Sequence, residues 1–197
     1  ARYFNNRINF IAIQNANRGD IFENRNNYNK IFFLPVLVCL SEFDIGFLKN
    51  KDISVKKFLV GGSIRNSYFQ NFLINGETKN TNFHDICFVC KSIKEIIQDK
   101  EPSKHGMIIT LNYLARYLRN TGQSVVLQAK HERNSKEEEL YKKIFIECNY
   151  KVSWKENSRY DSYKNISHSK LVIGLPSTLL RESFFYKTKV LCCEPNA

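Results

Sequence analysis

No apolar run in this chain comes near the ~20 residues that span a bilayer. The longest, Ile31 to Leu40 (IFFLPVLVCL), is interrupted by Pro35 and suits a buried strand. The sequence does not open on a secretory leader pattern. It has no internal repeat and no low-complexity tract. Glycine is scarce, 8 in 197 residues, and the pair Gly61-Gly62 lacks the spacing of a dinucleotide-binding fingerprint. Acidic residues are few: 19 Asp and Glu against 30 Lys and Arg leave a formal charge of +11. That excess favours anionic partners, among them nucleotides, phosphates, nucleic acid and acidic membrane surfaces. It is spread along the chain, which argues against a basic nucleic-acid arm. No nucleic-acid-binding motif is present either.

Six cysteines are scattered along the chain, most of them in apolar, strand-like runs, as reduced thiols of a cytosolic protein would be, and do not form a disulfide framework. Cys87-x-x-Cys90 has no second pair to complete a zinc site. It lies in DICFVC, where residues three apart point to opposite faces of a strand, so both read as buried structural thiols. The apolar fraction, 43%, is enough for a genuine core, and the length allows one large domain or two small ones.

The chain has two parts. In the first, Arg7 to Gln14, Phe32 to Leu40 and Lys57 to Val60 read as strands and Glu42 to Asn50 as a short helix. Asn-rich sequence from about Asn66 onward, with little apolar periodicity, reads as a connector. The expected division is a partial first lobe over 1–70, a connector over 71–83 and a second lobe over 84–197. In that second lobe strands and helices alternate. Ile86 to Cys90, Ser124 to Ala129, Tyr150 to Trp154, Lys170 to Gly174 and Lys189 to Cys192 are the strands. Ile108 to Arg119, Lys136 to Cys148, Asp161 to Ser167 and Leu179 to Tyr186 are the helices, and Thr121-Gly122 closes the first of them. Alternation of this kind predicts βαβ units and a parallel, Rossmann-like sheet, with ligands at the carboxyl ends of its strands. The sequence is expected to lack parts of a longer protein at both ends.

Two strand-end segments carry candidate chemistry. Lys130-His131-Glu132-Arg133 follows SVVLQA and offers three potentially cationic side chains. It is either a solvated basic loop or a phosphate contact in which His131 serves a leaving oxygen. Ser177-Thr178 opens a helix after KLVIG, with Glu182 a turn beyond Thr178. Those hydroxyls either cap the helix or bind a phosphate at its N-terminus. Trp154, Tyr160 and Tyr163 would stack on a base or pack in the core. His84 and His105 read as exposed loop residues and His168 as structural.

A two-lobed α/β chain with a basic His loop after one strand and a Ser-Thr pair opening a late helix resembles GT-B glycosyltransferases. The nearest resemblance is to bacterial capsule and surface-polysaccharide enzymes that use CMP-sugars, and to CDP-glycerol polymerases. FIAIQNANRGDIFEN and KKFLVGGSIRNSYF are similar to the first-lobe signature of surface carbohydrate biosynthesis proteins. The resemblance implies a GT-B-like fold and metal-independent transfer from a nucleotide-sugar to a saccharide or lipid-linked acceptor. It needs no cofactor and no nucleic acid. Ser177 and Thr178 would hold the donor phosphate, His131 with Lys130 and Arg133 would stabilise the leaving nucleotide, and Glu182 would contact ribose. Asp20 and Glu23 are the visible candidates for the base. Gln14, Asn15, Arg18, Gly62, Ser63 and Arg65 would line the acceptor side or the cleft. The expected location is cytoplasmic, with peripheral contact to the anionic inner face of the membrane. The alternatives are a basic nucleic-acid-binding α/β module and a non-catalytic Rossmann-like scaffold.

Overall fold

The structure is a computed structural model that describes residues 11–14, 32–50, 53–74, 83–91, 102–155, 160–186 and 188–193. The chain divides into two compact units, Ala1–Asn71 and Phe72–Ala197.

The first unit is a parallel sheet of β1 (Ile11–Ile13), β2 (Phe32–Cys39) and β3 (Ile53–Val60), in that spatial order. β2 is the apolar run read from the sequence. β3 is longer than its apolar end suggested, because Ile53, Ser54 and Val55 also pair with β2. Helix α1 (Glu42–Lys49) crosses between β2 and β3. Ser41 caps it: its Oγ accepts from the Asp44 amide at 3.3 Å and donates to the Asp44 carboxylate. Ile45 and Leu48 of α1 pack on Leu37 and Cys39, which makes a small core. The parallel register sets Ile11 beside Val36, Ile13 beside Val38 and Val38 beside Leu59, on the other face. Ile11, Ile13 and Leu59 of that face are exposed.

Helix α2 (Ile64–Ile74) follows β3, and the division between units falls near its end. The helix continues through Ile74, into the stretch expected as a connector over 71–83, of which residues 75–82 lie outside the described residues. The Asn-rich sequence concealed it. Ser63 caps the helix by accepting from the Asn66 amide at 3.2 Å, and Phe69 is fully buried.

The second unit holds β4 (His84–Val89), α3 (Pro102–Thr121), β5 (Ser124–Gln128), α4 (Ser135–Ile144), β6 (Asn149–Ser153), α5 (Asp161–Ser167), β7 (Ser169–Gly174), α6 (Thr178–Glu182) and β8 (Lys189–Cys192). All five strands are parallel, in the order β6-β5-β4-β7-β8. The chain winds outward from β4 through β5 to β6, then returns across the sheet to β7 and β8. Right-handed crossovers therefore place α3 and α4 on one face and α5 and α6 on the other. This is a doubly wound, Rossmann-like α/β sheet.

Its core follows from the sequence pattern. Phe88, Val125 and Leu127 face Leu111, Ala115 and Leu118 of α3 and Tyr141 and Phe145 at the end of α4. Each such fully buried side chain stabilises the fold by roughly 1.5–3 kcal/mol. Gly122 ends α3 with φ +66°, and its amide donates to the Leu118 carbonyl at 2.8 Å. Arg119 donates to the Ile144 carbonyl at 3.3 Å and the Ile146 carbonyl at 3.4 Å, so it serves the carbonyl end of α4. At the amino end of the sheet, Asp85 accepts from the Ser124 amide and hydroxyl, both at 2.9 Å, and from Lys170 Nζ at 2.7 Å. The bond from Lys170, then those from Ser124, draw its carboxyl down to about 2.

His84 is half-buried in β4, which corrects its reading as an exposed loop residue. His105 falls within α3.

Candidate functional site at the strand ends of the second unit

A doubly wound sheet opens a crevice where neighbouring strands send their chains in opposite directions. Here that switch point lies between β4 and β7. β4 ends at Val89, followed by Cys90 and Lys91, and β7 ends at Gly174, followed by Leu175, Pro176 and Ser177. Gly174 lets the two strands close up: a Cβ there would meet the Val89 Cβ and carbonyl oxygen at 3.1 Å.

On the adjacent strand, β5 delivers the basic loop. Lys130, His131, Glu132 and Arg133 are all exposed, and the loop is anchored where the Lys155 amide donates to the His131 carbonyl at 3.0 Å. Arg133 is already engaged. Its guanidinium donates twice to Glu138, both at 2.8 Å, and Lys142 reaches Glu138 at 3.1 Å. Arg133 and then Lys142 draw the Glu138 carboxyl down to about 2. An incoming phosphate would have to compete with Glu138 for that fork.

Beneath the loop lies a buried polar line that sequence reasoning missed. Asn134 caps α4, accepting from the Lys136 amide at 3.0 Å and the Glu137 amide at 3.3 Å. Glu137 is buried and accepts from the Tyr141 hydroxyl at 2.7 Å. Burial raises the Glu137 pKa, against the Tyr141 hydrogen bond and the charge of His131. Burial likewise pushes the Cys90 thiol up to about 12, opposed by a hydrogen bond with Tyr141. Cys90 is thus an inert thiol, and Cys87 is buried as well. The i, i+4 spacing of Glu137 and Tyr141, in step with Ile144, was the available signal.

Gln128 is the second missed residue. It is buried at the end of β5. Its Nε2 donates to the Ala129 carbonyl at 3.1 Å and the Ser153 carbonyl at 3.3 Å, and its Oε1 accepts from Asn165 at 2.7 Å. It ties the ends of β5 and β6 to α5, which fixes the floor beside the basic loop.

The Ser-Thr segment is placed as predicted, at a strand's carboxyl end, but its groups have partners. Ser177 Oγ accepts from the Leu180 amide at 3.1 Å, an ordinary N-cap. Thr178 is the first residue of α6 and half-buried. α6 ends at Glu182 and passes into a 3₁₀ turn, Ser183–Tyr186, so the continuous helix expected over Leu179 to Tyr186 is corrected to one turn and a half. Glu182 is buried, and the Tyr163 hydroxyl donates to it at 2.8 Å. The carboxylate expected at a ribose therefore joins α6 to α5. Tyr163 is core, and Trp154 packs against Tyr141 with ring centroids 6.1 Å apart, so neither is an exposed stacking platform.

In the first unit, Gln14 directly follows β1. Its side-chain carbonyl accepts from the Leu40 amide at 3.2 Å and its amide donates to Asp44 at 3.3 Å. Gly62 has φ +67°, Ser63 caps α2 and Arg65 is exposed on that helix. Asn15, Arg18, Asp20 and Glu23 lie outside the described residues. Among the described residues no group of three or more His, Cys, Asp or Glu side chains is arranged to hold a metal ion.

The second unit thus brings together the basic loop, the Gly174 turn and the Ser177 cap at one end of one sheet. No protein-family model matches the sequence, and a search of curated proteins finds no relative.

Proposed function

We propose that the second unit binds a nucleotide-activated sugar at the carboxyl ends of β4, β5 and β7, and that the protein is a metal-independent glycosyltransferase of the GT-B type. The observation that carries this reading is the switch point between β4 and β7, flanked by the exposed basic loop 130–133. A crevice at that point takes a nucleotide across the strand ends. Lys130 and His131 would face its phosphates, and Arg133 would join them by exchanging Glu138 for phosphate. The base-rich surface suits a surface-polysaccharide or glycolipid acceptor handled at the cytoplasmic face of the membrane. Among the described residues no helix is long and apolar enough to cross it.

A second reading, a non-catalytic Rossmann-like scaffold, is favoured by the internal partners of Ser177, Arg133 and Glu182. Calorimetry with CMP, CDP, UDP, GDP and their sugars separates the two. Selective binding of one nucleotide, with sugar transfer, lost in His131→Ala, supports the transferase. Binding without turnover supports the scaffold. A folded protein that binds none of them overturns the transferase and leaves the scaffold.

A further inference from the structure

Three neighbouring strands of the second unit end in the same way. Val89, Gln128 and Ser153 are partners in register across β4, β5 and β6. Two residues beyond each stands a lysine: Lys91, Lys130 and Lys155. The ladder runs on past the strands, because the Cys90 amide donates to the Gln128 carbonyl at 3.0 Å and the Ala129 amide to the Ser153 carbonyl at 2.9 Å. Two of the lysine backbones are then pinned in turn. The Lys91 amide donates to Met107 Sδ at 3.3 Å, and the Lys155 amide donates to the His131 carbonyl at 3.0 Å. Adjacent strands lie about 4.8 Å apart, so the row is about 10 Å wide.

Alternation places the row on one face. Phe88, Leu127 and Val152 pack in the core beneath α3 and α4, as do Cys90 and Trp154. The lysines have the opposite parity, that of Gln128, which reaches Asn165 of α5. They therefore share the face of α5 and α6, where Ser177 opens α6 after β7. Lys91 is half-buried, and Lys130 and Lys155 are exposed.

Stability does not call for cations here. The helices that follow β5, β6 and β7 begin at this end of the sheet, and the positive poles of their dipoles favour acids. Like charges on neighbouring strands also repel. The nearby acids do not cancel the row. Glu138 is held by Arg133 and Lys142, and Glu137 and Glu182 are buried on tyrosine hydroxyls. Asp161 sits in the first turn of α5, where the dipole favours it, and Glu132 is exposed in the basic loop. A row of like charges kept against its local fields suits an anion that spans it.

A single phosphate is met by one or two ammonium groups. Two phosphates joined through an oxygen have the charge and the breadth for all three. We infer that Lys91, Lys130 and Lys155 grip two linked phosphates, so that the crevice takes a nucleoside diphosphate group in preference to a nucleoside monophosphate. The nucleoside half of that ligand rests on the nucleotide-binding reading above, and the diphosphate half rests on the strand register. Lys91 and Lys155 are thus specificity residues. They decide between a CMP-linked sugar and one linked to CDP, UDP or GDP.

Calorimetry of the 197-residue chain tests the grip, with the pairs CMP and CDP, UMP and UDP, GMP and GDP, and with inorganic phosphate and pyrophosphate. In the pair whose base is accepted, the diphosphate binds about tenfold tighter than the monophosphate, and pyrophosphate outbinds phosphate. Lys91→Gln and Lys155→Gln each remove most of that advantage and leave monophosphate binding near wild type. Both keep the wild-type melting temperature, since glutamine retains much of the lysine stem. Lys143→Gln, an equal loss of charge on the exposed surface of α4, changes neither affinity. Pyrophosphate bound with this lysine dependence, by a protein that takes no nucleotide, supports the grip and overturns the nucleotide reading. A pair bound equally, or a diphosphate advantage that survives both glutamine variants, overturns the grip and leaves the nucleotide reading standing. A folded protein that binds neither pyrophosphate nor any diphosphate overturns the grip as well.

Discussion

The two units use the same parallel βαβ chemistry to different depths. In the second, helices cover both faces of a five-stranded sheet, and Phe88, Leu111, Leu127 and Phe145 are fully buried. In the first, α1 covers one face of a three-stranded sheet over Leu37, Cys39, Ile45 and Leu48. Its other face leaves Ile11 and Ile13 in water. Parallel sheets depend on cover from both sides, since their strands are apolar on both faces. Among the described residues the larger core belongs to the second unit, so the first is expected to open more easily.

Core truncation is the strongest way to break this contrast. Phe88→Ala in the second unit costs about 3–5 kcal/mol, the range for a fully enclosed aromatic side chain. Leu37→Ala in the first unit sits nearer ~2 kcal/mol, because its small core lets solvent and neighbours fill the gap. Denaturant unfolding of both variants, read beside amide exchange, measures the difference. Slow exchange confined to β4, β5 and β7 supports the contrast, and equally slow exchange in β2 and β3 removes it.

Asp85 gives the next largest effect. It joins the heads of β4, β5 and β7 through Ser124 and Lys170. Its folded-state carboxyl is lowered to about 2 from 3.8. Its contribution is thus complete above the ordinary value, falls as pH drops below it and is gone below about 2. Asp85→Asn should lower the melting temperature of the second unit at neutral pH and leave it unchanged at the acid end of that window. Exposure of Lys170 limits the loss to about 1 kcal/mol. A constant offset at every pH would assign the effect to packing.

How far these features could be read from residues alone depended on range. The second sheet was legible because local periods of two and 3.6 switch cleanly from SVVLQ to KEEELYKKI. α2 was not, because its Asn-rich sequence has no acidic first turn, and its main signals, the Ser63 cap and buried Phe69, need tertiary context. The positions of the basic loop and of Ser177 were legible as strand ends. Their engagements were not. Glu182 looks like a first-turn acid until α5 brings Tyr163 to it, and Gln128 looks like any polar strand end until Asn165 covers it. Both pairings span residues far apart in sequence, and a local pattern carries no trace of them.

Glu137 sharpens the comparison in the opposite direction, because here the well-packed unit carries a cost. Its raised pKa means the folded state prefers the protonated acid. The contribution of Glu137 to the stability of the second unit is most favourable below the ordinary glutamate value, 4.5, and declines as pH rises from there through the raised one. Glu137→Gln keeps an acceptor for the Tyr141 hydroxyl and removes the titration. The variant should melt a few degrees higher than wild type at neutral pH and equally at the acid end. A lower melting temperature at all pH values would mean that the Tyr141 bond needs the charge.

Arg133→Ala is the smallest change for the fold and the most direct for the site. The Arg133–Glu138 pair is exposed on the guanidinium side, 70% by side chain, so its removal should leave the melting temperature unchanged. Nucleotide affinity answers a different question. If phosphate displaces Glu138 from the guanidinium, Arg133→Ala weakens binding about tenfold, and Glu138→Gln strengthens it by freeing the fork. If Arg133 serves only to hold the first turn of α4, both variants bind as wild type does. Opposite signs in the two variants are the diagnostic result, because a purely structural ion pair would move them together.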